Sequence, residues 1–325
     1  MKICSFGILL GLSVIGVASV VHAAGPGPSS GKQCFTTLGT AGGPVVVAGR
    51  SQPSNLLIAG SKRILIDVGD GASERLAAAG LQPGAIDALF ISHLHIDHIG
   101  GLQGLLGLRW MTAAPRPLVI YGPPGTEELV SGIIAGMQPS VRAGLGTGGR
   151  HPTDDIVKVV TLDEGSDVTL GDLRVRAVRN THFAAEADRA KAVASLSYRF
   201  DRDGSGIGYT GDTGESEAVA GLFRGVDLLV SEVIDLPRVL EMVRRNTGGS
   251  GGRMNELATH LASHHLSPEQ AGRLAARTGT HALLLTHLSI VGPTESAEPL
   301  LLTGARSTFG GPVSVARDLS RFCVD

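Results

Sequence analysis

Ser92-His-Leu-His-Ile-Asp-His-Ile-Gly-Gly101 gathers His93, His95, Asp97 and His98 into one short turn. Ahead of it, Ile86-Asp-Ala-Leu-Phe-Ile-Ser92 has the length and β-branching of a buried strand. Behind it, Ile99, Leu102, Leu105, Leu106, Leu108 and Trp110 recur at roughly helical spacing. The ligand-type side chains thus leave a strand and open a helix, and they converge beyond the strand's carboxyl end, a usual site location in α/β layers. Imidazole is the commonest zinc ligand, and carboxylate is a hard oxygen donor beside it. So many donors in so few residues cannot serve one tetrahedral ion without strain, whereas two ions about 3.5–4 Å apart divide them.

The run His93-x-His95-x-Asp97-His98 resembles the metal signature of the metallo-β-lactamase superfamily. Four other stretches resemble its remaining motifs in the expected order: Asp67 in Ile-Leu-Ile-Asp-Val-Gly, His182 in Asn-Thr-His, Asp212 in Thr-Gly-Asp-Thr and His287 in Leu-Thr-His-Leu-Ser. The resemblance covers about residues 33 to 320. It implies two divalent metal ions, with zinc the first expectation. His93, His95 and His182 would hold one, Asp97, His98 and His287 the other, and Asp212 would bridge them. Asp67 would orient the ligand loop without touching metal. The implied fold is α+β, a four-layer αββα sandwich of two mixed β-sheets flanked by helices.

With 325 residues, 42% of them hydrophobic, the chain has material for a large core. No linker or composition shift divides it. Residues 1–23 read as a signal peptide: Lys2 gives a basic start, Ile3 to Val21 is nearly all apolar, and Val21-His-Ala23 offers small residues for cleavage. Residues 24–32, rich in Gly, Pro and Ser, read as a flexible spacer, and 33–325 as the hydrolase domain. The expected location is periplasmic or secreted. Cys34 and Cys323 then remain near opposite ends, either as a disulfide stapling the termini or as two unpaired thiols.

Strands are expected at Cys34–Leu38, Pro44–Ala48, Asn55–Ile58, Arg63–Val68 and Leu118–Tyr121, with a helix from Glu127 to Met137 and an irregular Gly-rich excursion over 138–155. Gly171-Asp172 reads as a hairpin turn ahead of His182, and 235–263 as an inserted helical segment broken by Gly248–Gly252. Ser267-Pro-Glu-Gln270 has the marks of a capped helix start.

Glu232 and His265-Leu-Ser resemble an acid/base pair of one branch of the superfamily, that of ribonuclease Z and its arylsulfatase and phosphodiesterase relatives. His264 is the adjacent competitor. A net charge of −2 and only 4% aromatic residues give no basic, base-stacking footprint, and the interval from His98 to His182 lacks a dense Lys/Arg cluster. The expectation is therefore an exported hydrolase in which a hydroxide shared by two metals cleaves a sulfate or phosphate ester, arylsulfatase-like or phosphodiesterase-like. Asp97, His265 and Glu232 are its expected catalytic side chains. The expected partner is a small-molecule ester, with no nucleic acid and no stable membrane association after signal removal; a homodimer is left open. The alternatives are a lactonase or β-lactamase-type acyl hydrolase, a ribonuclease Z-like endonuclease, and a non-catalytic metal-binding module.

Overall fold

In a computed structural model, residues 33–43, 45–144, 155–184, 193–247 and 252–325 are described. The signal peptide and spacer lie outside them. The first half runs β1 (Gln33–Gly39), β2 (Ser54–Ala59), β3 (Lys62–Val68), α1 (Ala72–Ala78), β4 (Ala88–Phe90), α2 (Ile96–Ile99), α3 (Leu102–Met111), β5 (Leu118–Gly122), α4 (Thr126–Gly144) and β6 (Val157–Thr161). The second half runs β7 (Asp167–Leu170), β8 (Leu173–Arg179), β9 (Leu196–Arg202), β10 (Ser205–Tyr209), α5 (Glu217–Leu222), β11 (Leu228–Ile234), α6 (Leu236–Thr247), α7 (Gly252–His264), α8 (Pro268–Thr278), β12 (Ala282–Ser289), α9 (Thr294–Arg306) and β13 (Val313–Val315). A last strand, β14 (Ser320–Val324), returns to the first sheet.

The described strands form two seven-stranded sheets, ordered β14-β1-β2-β3-β4-β5-β6 and β13-β12-β11-β10-β9-β8-β7. Each is antiparallel on one side and parallel on the other, which makes both mixed. Alternation along β3 explains the layering. Ile64 and Ile66 join Phe35, Phe90, Phe200 and Tyr209 in a core between the sheets, while Leu65 faces the cluster formed with Leu76, Leu102 and Leu106 of the first sheet's helices. A third cluster packs α5, α8 and α9 on the far side of the second sheet. Strands buried on both faces are nearly all apolar, which is why they read as continuous hydrophobic runs. The order helix, sheet, sheet, helix is the αββα sandwich expected from the motifs.

The structure corrects several local expectations. Residues 45–50 are no strand: they form an exposed turn with an isolated bridge between Val47 and Arg50, and Val46 is 81% exposed. β-Propensity without a neighbouring strand to pair with does not make a strand. Helix α4 passes Met137 and runs through Pro139 to Gly144, because Met137 and Val141, one turn apart, extend its buried face. The inserted segment is two helices, α6 and α7. The hairpin turn at Gly171 (φ 71°) and the Ser267/Gln270 capping box are both present.

β14 pairs antiparallel with β1, setting Cys34 directly opposite Cys323, and the two form a disulfide. The bond closes a loop of sequence separation 289, so its main effect is to restrict the unfolded chain. Replacing both cysteines with serine is expected to lower unfolding stability by about 2–5 kcal/mol. Denaturant titration of the oxidised protein and the variant measures this.

Candidate metal centre

The site sits where both sheets present the carboxyl ends of their parallel strands. Asp67 lies at the end of β3, Ser92 to His98 follow β4, Asp212 follows β10, Glu232 lies in β11 and His287 in β12. His182 comes from the loop after β8, and His265 from the step between α7 and α8.

Two of these residues are aimed by bulges. The β2–β3 register passes from Ser54 opposite Val68 to Asn55 opposite Ile66, so Asp67 has no partner, and its φ is 57°. The β11–β12 register passes from Glu232 opposite Thr286 to Val233 opposite Leu288, so His287 has none, and its φ is 44°. A bulge turns an extra residue out of the ladder and re-aims its side chain. Left-handed backbone at a non-glycine residue is a local strain that occurs chiefly at functional sites.

On one side, His95 Nδ1 lies 3.0 Å from His93 Nε2 and 3.1 Å from His182 Nε2. Asp212 Oδ2 stands 3.9 Å from both His93 Nε2 and His182 Nε2. On the other side, Asp97 Oδ2 is 3.5 Å from His98 Nε2 and 3.5 Å from His287 Nε2. Asp212 Oδ1 is 3.3 and 3.2 Å from the same two nitrogens. Asp212 therefore turns one oxygen to each group, as a bridging carboxylate must.

These spacings fit metal ions. Tetrahedral ligands about 2.1 Å from one ion stand roughly 3.4 Å apart. Three of the remaining ring nitrogens have partners: His98 Nδ1 meets Asp67 Oδ2 at 2.8 Å, His182 Nδ1 meets the His264 carbonyl at 3.0 Å, and His93 Nδ1 meets Ser92 Oγ at 3.1 Å. With protons on those atoms, the Nε2 lone pairs of His93, His98 and His182 face inward. Among the described residues, His98 Nε2, His287 Nε2 and Asp212 Oδ1 are buried without a hydrogen bond, a costly arrangement that cations would relieve. The donor set therefore fits a pair of divalent metals, and the fold family carries the same implication. At Gly43 a Cβ would overlap the Asp97 carboxylate, so the chain wall beside the second group must be bare.

Burial, the largest influence, holds His93 well below the usual histidine range, lowers His95 and brings His182 to about 3. These rings stay neutral, the form that binds a cation. Burial alone would raise the Asp97 carboxyl, but the His287 and His98 rings beside it bring it down to about 2. Burial opposes the charged form of Asp212 too, and His287 and His98 outweigh it, holding the carboxyl well below its usual range.

Glu232 and His265 meet beside the second group, with His265 Nδ1 2.9 Å from Glu232 Oε2. Thr213 N–H donates to Glu232 Oε1 at 2.8 Å. Burial raises Glu232, while His265 rises to about 9 because the Glu232 carboxylate overcomes the burial that would lower it. Glu232 Oε2 also stands 4.0 Å from His287 Nδ1, joining the pair to the metal ligands. His264 contributes its backbone carbonyl to His182 rather than a ring nitrogen to the site. Sequence reasoning missed Tyr209, whose hydroxyl donates to Asp67 Oδ2 at 2.6 Å. An aromatic in a buried strand carries no signal of such a role.

Metal analysis is expected to find two divalent ions per chain. His182→Ala should lose one, His287→Ala the other, and Asp212→Ala should weaken both. Asp67→Ala should lower metal affinity about 10–100-fold by releasing the His98 ring. Equilibrium dialysis with elemental analysis reads all four.

Residues 62–288 match the family described as beta-lactamase superfamily domain. A ribonuclease Z of Mycobacterium avium (strain 104) is 31% identical over 296 residues, spanning 89% of this chain and 98% of that one. A ribonuclease Z of Mycobacterium bovis (strain BCG / Pasteur 1173P2) is 28% identical over 291 residues, spanning 88% and 96%. Among solved structures, the metallo-beta-lactamase fold protein YhfI of Bacillus subtilis superposes with a TM-score of 0.65 at 20% identity, covering 90% of this chain and 99% of that one. Human tRNase Z, short form, gives 0.61 at 21%, covering 89% and 98%. These two show the shared fold.

The relatives overturn the expected arylsulfatase-like or phosphodiesterase-like cleavage of a small-molecule sulfate or phosphate ester, and with it the expected absence of nucleic acid. That expectation rested on net charge and aromatic content taken over the whole chain and on the lack of a Lys/Arg cluster between His98 and His182, and neither says where charge lies around one pocket. The chain belongs to the metallo-β-lactamase superfamily, among relatives named ribonuclease Z.

Proposed function

We propose that this chain is a two-metal hydrolase of RNA phosphodiester bonds, of the ribonuclease Z kind. The observation that carries this is the Glu232–His265 pair, hydrogen-bonded at 2.9 Å beside the dinuclear ligand set, in a chain whose relatives over nearly its whole length are named ribonuclease Z. Zinc is the proposed metal, because three imidazoles with carboxylates suit it. Bound divalent ions supply an acidified water and a counter-charge for the phosphoryl oxygens.

The chain's own groups do the rest. Glu232 holds the Nδ1–H of His265 and so points Nε2 at the site. A protonated His265 donates from that nitrogen to the departing ribose oxygen. Asp97, ionised down to about pH 2, accepts a hydrogen bond from the attacking water and orients it. Asp67 and the His264 carbonyl keep the His98 and His182 rings in the inward-facing tautomer. We also infer a location outside the cytoplasm. The Cys34–Cys323 disulfide suits an oxidising compartment, and the apolar stretch Ile3 to Val21 suits an export signal.

Metal-replete protein is expected to cut a tRNA-like transcript carrying a 3′ extension, read as discrete products on a gel. His265→Ala should lower kcat about 10²–10⁴-fold while leaving metal content unchanged. An intact transcript after incubation with metal-replete protein sinks the proposal.

A further inference from the structure

Two ligands of the second metal group, Asp97 and His287, are braced by chain from outside the ligand set. His287 sits at a bulge with φ 44°, so its aim depends on how firmly its neighbours are held. Leu288, the next residue, pairs with Val233 on one side. On the other side its N–H donates to the Thr40 carbonyl at 2.8 Å, and its carbonyl accepts from Gly42 N–H at 3.1 Å. Gly43 of the same segment abuts the Asp97 carboxylate.

A second segment, Ser51 to Pro53, braces Asp97 through its main chain. Gln52 N–H donates to the Asp70 carbonyl at 3.2 Å, and the Pro53 carbonyl accepts from Gly69 N–H at 2.9 Å. At Gly69 a Cβ would overlap the Asp97 carbonyl, so the loop that Pro53 holds lies directly against it. Among the described residues, neither segment makes a hydrogen bond to His93, His95 or His182 of the first group.

Both segments are fastened to one side chain. Asp318 lies in the turn that leads into β14, and its side chain is 7% exposed. Its Oδ1 accepts from Thr40 N–H at 3.0 Å and from Thr40 Oγ1 at 2.8 Å, while Oδ2 accepts from Ser51 N–H at 2.8 Å. Arg75 Nε, 3.4 Å from Oδ2, and the Arg50 guanidinium are attracted to its charge. The turn is itself tied to β1, where Thr37 Oγ1 donates to the Arg317 carbonyl at 2.8 Å and the Thr37 carbonyl accepts from Leu319 N–H at 2.6 Å.

We propose that Asp318 is a positioning residue for the second metal group: by joining Thr40 to Ser51 it holds the two segments that set Asp97 and His287. The inference rests on the two-metal reading of the centre and is independent of which ester is cut. Asp318→Asn keeps the shape and removes one acceptor, because either orientation of the amide turns its NH2 toward the Thr40 or the Ser51 N–H. Metal-free protein titrated with zinc by equilibrium dialysis reads the effect in two backgrounds. In His182→Ala, which keeps the second group whole, Asp318→Asn should lower zinc affinity about 10–100-fold. In His287→Ala, which keeps the first group whole, the same change should move affinity by less than about twofold. Thr40→Val, which loses only the hydroxyl contact, should act in the same direction by a smaller factor. Val219→Ala, in the core on the far side of the second sheet, controls for lost stability and should alter neither affinity.

Any other pattern in folded Asp318→Asn (no change in either background, equal loss in both, or loss confined to His287→Ala) overturns the inference and leaves the metal centre standing. Should the asparagine variant not fold, Thr40→Val decides by the same comparison. A wild-type protein that takes up no pair of zinc ions overturns the metal-centre reading and this inference together.

Discussion

One buried carboxylate ties the two sheets to the metal ligands. Asp67 is fully buried, and it accepts from Ser92 N–H at 2.7 Å, Ser92 Oγ at 2.9 Å, His98 Nδ1 at 2.8 Å and Tyr209 Oη at 2.6 Å. A carboxylate in such a place is tolerable only with its lone pairs filled. Filling them fixes three things together: the backbone of the ligand turn, the tautomer of His98, and the approach of β10 from the opposite sheet. The sandwich core brings the sheets face to face, and Asp67 sets how their ends meet.

The metal site uses its ladders against themselves. Regular pairing would send alternate side chains of β3 and β12 into the core or out to the helices. At Asp67 and His287 the ladder skips a residue, and the backbone takes positive φ. Each costs on the order of 1–3 kcal/mol in strain. The crowding of inward lone pairs at 3.0–3.1 Å between His93, His95 and His182 adds repulsion. Divalent ions held there would offset both, because their attraction to neutral imidazole and ionised carboxylate would act in a dry pocket where water screens little. Folding and metal binding are therefore linked at this site, with the core holding apart what the ions draw together.

How far the sequence reveals this depends on whether the cause is local. His93, His95, Asp97 and His98 are legible because a short turn forces neighbours in sequence to be neighbours in space. The Ser267/Gln270 capping box and the Gly171 hairpin turn are legible for the same reason. The bulges are not, since which residue is skipped follows from register against β2 and β11, strands distant in sequence. Tyr209 reads as core because its ring is core; only its hydroxyl, meeting Asp67 across the sheets, is functional. The 45–50 turn looks like a strand because its valines are β-formers, yet among the described residues no neighbouring strand pairs with it.

The misjudged partner has a cause of the same kind. A dinuclear centre fixes the chemistry of the bond to be cut and leaves open the size of what carries it. That is decided by the walls around the ions, here the α6–α7 pair, the 45–50 turn and the 289–295 segment. Their apolar side chains face a cavity, so a pattern that marks an apolar helix face does not say what lies against it. Charge at those walls is local, with Arg50, Arg75 and Arg317 set among Asp318 and Glu295. Net charge sums over a surface that is mostly remote from the ligand, while charges on the walls of the site act at close range.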